Sequence, residues 1–548
     1  MSKISLESIL NKHSAYCFLK KYSLEYEDNI AISFYGKQIS YKTLFSKIDE
    51  MAKALVSYGV KKDDVVASSL PGCPEGIYLI YAINKIGAIY CAFDCRAKNN
   101  EIKEMIKMFS PKLCFVPNFQ LKEFYDVHDC DVIFINPIHA LGTIEKLYSI
   151  PADFFTGRNY LCKKNKFLHS YNSFIRKSKN VESVHDEKST ENIFGYFYTS
   201  GTTYGRKSVI LTNDNINSAA VIQKEANNLI QSGQSLLNIM PLFTCYSVSL
   251  ATHLPLFCGV TVKLIPLLNP KKLKQVMLKE KPNYIITVPA HWDYFINDDF
   301  RDCDLSFVKG IIIGGDIMNP VYRNKLRKIF QDHGADEPLR IGYGLSETTS
   351  TAVACFSPMG NSVGKALPYM KVNICNMETG EPLACGEEGE ICISGPTLCK
   401  GYFKEEKMTN ELLRMHADGN IWLHSGDRGY LDEKGSLYFC ERYKRMYVRF
   451  DGTKISPYSI EQALSACDLI EDCLVVAIID TDHSHGKCAK VNIVLKEGEN
   501  EERAMATIRK FCKKHLDEHM QPKEIVFVNR LPRTANGKLD YFEKNAKK

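Results

Sequence analysis

The sequence predicts an α/β protein, with a large amino-terminal domain of wound sheets flanked by helices and a small α+β domain at the carboxy terminus. Residues 41–115 alternate a helical stretch, 41–58, with short strand-like runs at 65–67 and 89–92. After Gly435 the pattern changes to short strands and charged helices, which fits a separate unit of about 100 residues. The chain has 548 residues, of which 45% are hydrophobic, so it can bury a sizeable core.

The other predicted elements follow the same layered pattern. The stretch 153–188 is rich in lysine, asparagine and serine, and we predict a solvated connecting loop. Further strands are predicted at 194–198 and 311–313, where apolar runs end near glycine. The predicted elements of the small domain are strands 437–440, 446–450 and 474–479, a helix from residue 457 and a long charged helix over 501–519.

Charge and cysteine content exclude several classes of protein. The net charge of +6 is spread along the chain, so nucleic acid is not expected as a partner. The twenty cysteines lack zinc-ribbon spacing, so no structural metal site is expected. Residues 1–7 lack the apolar core of a signal peptide, and no apolar run reaches the roughly 18 residues of a membrane helix. We therefore expect a cytoplasmic protein with reduced thiols and no transmembrane segment.

A loop rich in hydroxyls and glycine follows the predicted strand 194–198 and ends in two cations, Arg206 and Lys207. Hydroxyls and backbone N–H groups in such a loop can wrap phosphate oxygens, and Lys207 offsets the charge of a triphosphate. The spacing differs from that of a Walker loop. An ordinary turn rich in Ser, Thr and Gly remains the alternative for this segment.

Two segments suit a flat ring. Residues 341–349 place Tyr343 between two glycines and close to Glu347, an arrangement that suits purine stacking and Mg²⁺ binding. The predicted strand 311–313 ends in two glycines and Asp316, where a ring can approach the backbone. An ordinary strand-to-turn segment is the alternative for residues 341–349, and the second segment is a weak signal when taken alone.

Two single residues complete the pattern. Asp427 follows a tight turn and could accept hydrogen bonds from two ribose hydroxyls, although a surface aspartate in a turn is the commoner case. Lys538 lies on a loop near the carboxy terminus, where a solvated lysine is the default.

In this order, the segments resemble the motifs of the adenylate-forming superfamily, which includes acyl-CoA synthetases, the adenylation domains of nonribosomal peptide synthetases and beetle luciferases. The resemblance covers roughly residues 27–540. The matching motifs are a TSGTTGxPK-like loop at 199–207, GYGxTE at 342–347 with serine for threonine, a GExxxxGxxxxxGY run at 389–402, GD at 426–427, a hinge motif from residue 442, and PRTxxGK at 532–538.

The resemblance implies a large AMP-binding domain over 1–440 and a small mobile domain over 441–548. Members of this family condense a carboxylic acid with ATP to an acyl-adenylate and pyrophosphate, and then pass the acyl group to the thiol of CoA or of a phosphopantetheinyl carrier. ATP, Mg²⁺ and one of these thiols are therefore the implied cofactors. The first expectation is a fatty or aromatic acid–CoA ligase. The alternatives are an enzyme that loads a separate carrier protein and a degenerate nucleotide binder without turnover.

The resemblance also implies roles for single residues. Lys538 would be catalytic, bridging the substrate carboxylate and the α-phosphate, and Glu347 would hold Mg²⁺. Lys444 would be the hinge about which the small domain rotates, and Gly452 would line the thiol tunnel, although a glycine in an Asp-Gly turn is equally expected there. The residues expected to bind the nucleotide are Thr199, Ser200, Gly201, Thr202, Thr203, Lys207, Gly314, Gly315, Asp316, Gly342, Tyr343, Gly344, Leu345, Ser346, Asp427 and Arg442.

The chain departs from the family pattern at four positions. Tyr204 replaces a glycine and Arg206 a proline of the phosphate loop, Glu441 replaces a glycine or aspartate before the hinge, and Arg449 replaces a lysine. A tyrosine is unfavourable where the loop needs positive φ. These changes keep the degenerate alternative open.

The predicted substrate pocket contains Thr244, Tyr246 and Ile313. Members that activate amino acids carry an aspartate at the place of Thr244, where it pairs with the substrate ammonium. Without that carboxylate, a buried ammonium would cost several kcal/mol. An acid with an uncharged tail is therefore expected.

Overall fold

The structure is a computed structural model, and it describes most of the chain. The described residues are 6, 10, 12–136, 166–188, 192–198, 207–226, 230–266, 268–318, 320–336, 338–356, 360–483, 486–534 and 538–542.

The first large sheet contains nine strands among these residues. Its six central strands are parallel, and antiparallel strands flank them on both edges. In spatial order the strands are β16 (Lys365–Ala366), β15 (Val353–Cys355), β14 (Leu339–Tyr343), β13 (Gly310–Ile313), β12 (Tyr284–Thr287), β10 (Ser235–Asn238), β11 (Thr261–Leu264), β1 (Ile30–Phe34) and β2 (Lys37–Ser40).

The second large sheet contains eight described strands, six of them parallel. Every residue of β4 and β5 is buried, as expected for parallel strands that are covered on both faces. In spatial order the strands are β19 (Gly401–Tyr402), β9 (Ser208–Thr212), β8 (Ile193–Tyr198), β4 (Ile89–Ala92), β3 (Val65–Ser68), β5 (Leu113–Pro117), β6 (Asp131–Ile135) and β7 (Leu168–Ser170).

Thirteen α-helices occur in the described part of the chain, and they cover the sheets. A π-helical segment, Ser249–His253, joins α7 and α8. The helices are α1 (Ala15–Tyr22), α2 (Tyr41–Ser57), α3 (Pro74–Lys85), α4 (Asn99–Phe109), α5 (Tyr171–Arg176), α6 (Asn213–Ala226), α7 (Cys245–Val248), α8 (Leu254–Phe257), α9 (Leu273–Glu280), α10 (Pro320–Asp332), α11 (Glu406–Leu412), α12 (Pro457–Leu464) and α13 (Glu501–His515).

Apolar clusters place helices on both faces of the second sheet. One cluster includes α3 together with residues of both large sheets. Another packs α4, through Ile102 and Met105, against Cys91 and Cys114 on the opposite face. This arrangement confirms the predicted α/β fold with wound sheets.

Three smaller sheets follow. The third is antiparallel and links the large sheets to the carboxy-terminal unit, whose apolar core is separate. The strands of the third sheet are β17 (Lys371–Cys375), β18 (Gly389–Ser394), β20 (Leu413–Met415), β21 (Ile421–Leu431) and β22 (Leu437–Arg442). Those of the last two sheets are β23 (Tyr447–Val448), β24 (Lys454–Ile455), β25 (Ile470–Ile479), β26 (Lys487–Leu495) and β27 (Glu524–Phe527).

Two of the predicted elements need correction. The predicted loop 153–188 contains β7, α5 and a short 3-10 helix in its described part. Phe174 of α5 is fully buried, and its ring lies 5.2 Å from that of Phe115. Burial of the Phe174 ring stabilises this helix despite the polar composition of the segment. The last predicted helix ends at His515, because Leu516 turns into extended backbone and buries its side chain.

Candidate active site

The carboxyl ends of β13 and β14 lie side by side, since these strands are parallel neighbours. A Cβ on Gly314 would lie 3.2 Å from the carbonyl oxygen of Gly342. One on Gly344 would lie only 1.7 Å from the carbonyl oxygen of Ser350, so a larger residue cannot occupy position 344. Gly315 follows with φ of 82°. The close approach of these backbones leaves an edge without side chains, as predicted for a ring-binding surface.

Beside this edge, Tyr343 and Arg442 converge on Asp427. The Tyr343 hydroxyl donates a hydrogen bond of 2.9 Å to Oδ2 of Asp427, and Nε of Arg442 lies 3.1 Å from Oδ1. Asp427 is buried. Burial raises its pKa above the usual range, although Arg442 and the Tyr343 hydroxyl act in the opposite direction. Three predicted nucleotide-binding residues from β14, β21 and β22 therefore form one cluster.

A second buried group supports the turn before Asp427. Oε1 of Glu390 accepts a hydrogen bond of 2.8 Å from the backbone N–H of Gly426, and Oε2 lies 2.8 Å from Nδ1 of His424. Cys392 lies beside the same histidine nitrogen, at 3.6 Å. Glutamate, histidine and cysteine are common metal ligands, and these three side chains lie close enough together to hold a metal ion. The sequence predicted no structural metal site. The hydrogen bonds of Glu390 connect β18 to the Gly426 turn and so fix the place of Asp427.

Glu347 lies in a 3-10 turn, Ser346–Thr348, after β14. Its Oε1 accepts a hydrogen bond of 2.7 Å from the Tyr402 hydroxyl. Among the described residues, no hydrogen bond engages the other carboxylate oxygen. A hard oxygen donor of this kind suits Mg²⁺, so the residue fits the predicted metal role. Leu345 precedes the turn, and its N–H donates to Oγ1 of Thr348.

Lys207 is the described end of the predicted phosphate loop. Its Nζ lies 4.6 Å from the centre of the Tyr402 ring. Burial lowers the pKa of Lys207, and the positive charge of Lys444 lowers it further, whereas Glu347 raises it. Lys207 and Glu347 therefore both contact Tyr402. The predicted ligands that lie outside the described residues are Thr199, Ser200, Gly201, Thr202 and Thr203.

Lys538 reaches the same place from the carboxy-terminal unit. Burial and the charge of Arg442 lower the pKa of Lys538, while the carboxylates of Asp316, Glu347 and Asp427 raise it. The N–H of Leu539, the next residue, donates a hydrogen bond of 2.8 Å to Oδ2 of Asp316. Lys538 therefore lies next to a residue that contacts the end of β13, and its catalytic role stays a prediction.

The predicted hinge residue and the predicted tunnel residue are both exposed. Lys444 is exposed within the 3-10 turn Tyr443–Arg445. Gly452 has φ of 85° in the turn between β23 and β24, and its N–H donates to the carbonyl of Arg449. The turn alone explains this glycine, so its tunnel role stays a prediction.

The three predicted pocket residues differ in what their side chains contact. Thr244 is the N-cap of α7, since its hydroxyl accepts from the N–H of Ser247 and donates to the carbonyl of Pro241. The Tyr246 ring packs beside Gly314, and Ile313 is buried at the end of β13. Tyr246 and Ile313 border the glycine edge, whereas the Thr244 hydroxyl is already engaged.

Sequence reasoning missed several residues that the site uses. Tyr402 was visible only as the last letter of a motif, and Glu390 as its second. Asp293 gives no local signal, yet its carboxylate accepts two hydrogen bonds from Arg533, at 2.8 and 3.0 Å, across 240 positions. Such long-range partners have no pattern in one sequence.

In the described part of the chain, every helix is too short or too polar to cross a bilayer.

The model of the AMP-binding enzyme family matches residues 19–403, and that of the AMP-binding enzyme C-terminal domain matches residues 459–538. The chain is 26% identical to the long-chain-fatty-acid–CoA ligase of Bacillus subtilis (strain 168), over 98% of this chain and 93% of that protein. It is also 26% identical to the 2-succinylbenzoate–CoA ligase of Bacillus cytotoxicus, over 93% and 94% of the two chains.

Among solved structures, ATP-bound MatB from Rhodopseudomonas palustris superposes with a TM-score of 0.78 at 20% identity, covering 96% of this chain and 97% of that one. This likeness shows the fold. The family match extends over more than half of the chain, and it confirms the family and the enzyme class predicted from the sequence. The protein belongs to the AMP-binding enzyme family.

Proposed function

We propose that the protein is an AMP-forming acid–CoA ligase that activates a fatty or aromatic carboxylic acid in the cytoplasm. The observation that carries this proposal is the contact of the Lys538 segment with the end of β13: the N–H of Leu539, the residue after Lys538, donates a hydrogen bond of 2.8 Å to Oδ2 of Asp316. A cation from the small domain meets the nucleotide-binding side of the large domain, which is what the first half-reaction requires.

In the first half-reaction, a substrate carboxylate oxygen attacks the α-phosphorus of ATP, and the bond to pyrophosphate breaks. Lys538 bridges the carboxylate and the α-phosphate and stabilises negative charge as it develops. Tyr343 holds adenine, and Asp427 with Arg442 binds the ribose. Glu347 would hold Mg²⁺, which would offset the charge of the phosphates.

In the second half-reaction, the small domain rotates about Lys444. The CoA sulfur then attacks the acyl carbon, the thiol proton leaves to solvent, and the bond to AMP breaks.

The described cysteines are all free thiols, which supports a reducing compartment.

Two observations support an acid without a charged amino group. Thr244 offers no carboxylate, and its hydroxyl is engaged by backbone groups, so an ammonium would be buried without a partner there. The relatives named for long-chain fatty acid and 2-succinylbenzoate substrates point to the same class.

The test is pyrophosphate release with ATP and Mg²⁺ over a panel of octanoate, palmitate, benzoate, 4-coumarate and phenylalanine. We expect one fatty or aromatic acid to stimulate release. Lys538→Ala should lower that rate about 100- to 1,000-fold. Lys513→Ala, which changes an exposed lysine of α13, is the matched control and should leave the rate unchanged.

The acceptor is tested by adding CoA or a phosphopantetheinylated carrier protein to the same reaction. Thioester formation with CoA supports the proposal, and formation with the carrier alone favours the carrier-loading alternative. A folded protein that binds ATP and releases no pyrophosphate with any acid would overturn the ligase assignment in favour of a degenerate nucleotide binder.

A further inference from the structure

Asp316 directs its carboxylate at the carboxy-terminal segment 538–542. Oδ2 accepts a hydrogen bond of 2.8 Å from the backbone N–H of Leu539, and Oδ1 accepts one of 3.2 Å from the Tyr541 hydroxyl. Both donors belong to the small domain, whereas Asp316 follows β13 of the large domain. Both oxygens of this predicted nucleotide ligand are therefore engaged by the segment that carries Lys538.

The Tyr541 side chain also contacts the hinge. The guanidinium carbon of Arg445, in the hinge turn, lies 4.2 Å from the centre of the Tyr541 ring. Arg445 is itself buried and hydrogen-bonded to Glu461 of α12 and to the carbonyl of Val475. One tyrosine thus connects the end of β13 to the hinge turn and to the core of the small domain.

The described residues before and after Lys538 are hydrogen-bonded to each other. The Thr534 N–H donates to the Lys538 carbonyl at 2.7 Å, and the Asp540 N–H donates to the Pro532 carbonyl at 2.9 Å. Arg533 binds Asp293, and Leu539 binds Asp316. Two aspartates of the large domain therefore hold described residues on both sides of Lys538.

We propose that Asp316 is a positioning residue that docks the Lys538 loop for adenylate formation, with Tyr541 as its partner, and that it does not bind the nucleotide. The Asp316 contact lies one residue from Lys538, so it limits where the ammonium can be placed. Because the contact joins the two domains, rotation of the small domain breaks it. The docking therefore serves the first half-reaction and is dispensable for the second. This inference rests on the proposed ligase function.

The docking is tested first without any substrate, by hydrogen exchange of the Leu539 amide in the full-length protein. Asp316→Ala should raise the exchange rate of that amide at least tenfold, and Tyr541→Phe should raise it less. The matched control is Tyr41→Phe, which removes a hydroxyl that donates a 2.8 Å hydrogen bond to the Leu256 carbonyl inside the large domain. Unchanged exchange at Leu539 in Asp316→Ala would overturn the docking.

The role is tested by measuring the two half-reactions separately. Acid-dependent ATP–pyrophosphate exchange, with the most active acid of the panel, reports adenylation. Thioester formation from the synthetic acyl-adenylate of that acid and CoA reports the second step. Asp316→Ala should lower kcat of exchange about 10- to 100-fold and Tyr541→Phe about 3- to 10-fold, with KM for ATP within twofold. Both variants should form thioester within twofold of the native rate, and Tyr41→Phe should change neither step.

The outcomes separate this inference from the proposed function. A large rise in KM for ATP in Asp316→Ala would return Asp316 to nucleotide binding and overturn the inference. Equal losses in both half-reactions would show a merely structural role and would also overturn it. Lys538→Ala is the reference, because normal exchange in that variant would contradict the proposed function itself.

Discussion

Two neighbouring ion pairs on β21 and β22 have the same chemistry and different surroundings. Asp427 lies opposite Arg442, and the next pair, Arg428 opposite Glu441, has the charges exchanged between the strands. Successive side chains of a strand point to opposite faces. The Asp427 pair therefore faces Tyr343, and the Glu441 pair faces the small domain. Both carboxylates are buried.

The two carboxylates differ in how well their oxygens are satisfied. Glu441 accepts from the Ser456 hydroxyl and the Tyr458 N–H, and lies 3.1 Å from Nη2 of Arg428. Asp427 has the Tyr343 hydroxyl on one oxygen. Its other oxygen has no hydrogen-bond donor among the described residues, although Nε of Arg442 lies 3.1 Å away. The Glu441 pair is complete without a ligand, whereas the Asp427 pair leaves an acceptor free.

The largest expected effect is on stability, at the complete pair. Glu441→Gln removes the charge that balances Arg428 in a buried place, and we expect a loss of about 3 kcal/mol in the free energy of unfolding. Urea unfolding, with hydrogen exchange of α12 as the local probe, measures it. Glu388→Gln is the matched control, because Glu388 is the exposed partner of the same arginine, at 3.2 Å. It should cost less than about 1 kcal/mol.

Equal costs for these two variants would break the comparison, since burial would then not distinguish the two partners of Arg428.

The incomplete pair should respond in activity. Asp427→Asn removes the charge that we propose accepts the ribose hydroxyls, and we expect kcat/KM for ATP to fall about 10- to 100-fold. Asp432→Asn, which changes the turn of the same hairpin, serves as control and should leave kcat/KM unchanged. Steady-state pyrophosphate release over a range of ATP concentrations measures both.

The pH dependence of stability is a second test of the difference between Asp427 and Glu441. Burial raises the pKa of Asp427 above 3.8, so the ionised carboxylate costs stability that grows as the pH rises from 3.8 through the folded pKa. Asp427→Asn removes this cost. The variant should therefore be more stable than the native chain, by a margin larger at pH 7 than at pH 4 in thermal unfolding. A variant that is less stable at pH 7 would show that Asp427 is a structural residue like Glu441.

The sequence predicts the members of the site better than their contacts. Tyr343, Asp427 and Lys538 lie in motifs whose order along the chain identifies the family, and the structure joins Tyr343 to Asp427 by a hydrogen bond. Glu441 was recognised only as a departure from the family pattern. Its partners Arg428 and Ser456 are set by strand register and by the docking of α12, which a single sequence does not specify.

The fold shows the same limit. Strands such as β4 and β13 are continuous apolar runs and were predicted within one residue. The short helix α5 was missed, because one buried phenylalanine outweighs the lysines around it. Asp316 is predicted to bind the nucleotide from its place after two glycines, and the structure adds a contact with Leu539, 223 positions away, that the sequence does not indicate. The local sequence identifies where a strand ends. Which residues contact that end depends on the packing of distant parts of the chain.

The smallest expected effect concerns the hydroxyl that completes the Glu441 pair. Ser456 donates to Glu441, and it also caps α12 by accepting from the Ser459 N–H at 3.2 Å. Ser456→Ala should cost about 1 to 2 kcal/mol in unfolding free energy, less than Glu441→Gln because Arg428 keeps its counter-charge. Ser465→Ala, at the exposed end of the same helix, should cost under about 0.5 kcal/mol.

A double-mutant cycle of Ser456→Ala and Glu441→Gln extends this prediction. If the hydroxyl acts mainly through Glu441, the two losses are less than additive, because the second change removes a contact that the first has already broken. Additive losses would mean that Ser456 acts independently of Glu441, through its cap on α12 and the hydrogen bond of 3.2 Å that it accepts from Nη2 of Arg428. The pair would then be complete with Arg428 and the Tyr458 N–H. The cycle therefore decides whether the complete pair has three partners or two, and urea unfolding of the four proteins measures it.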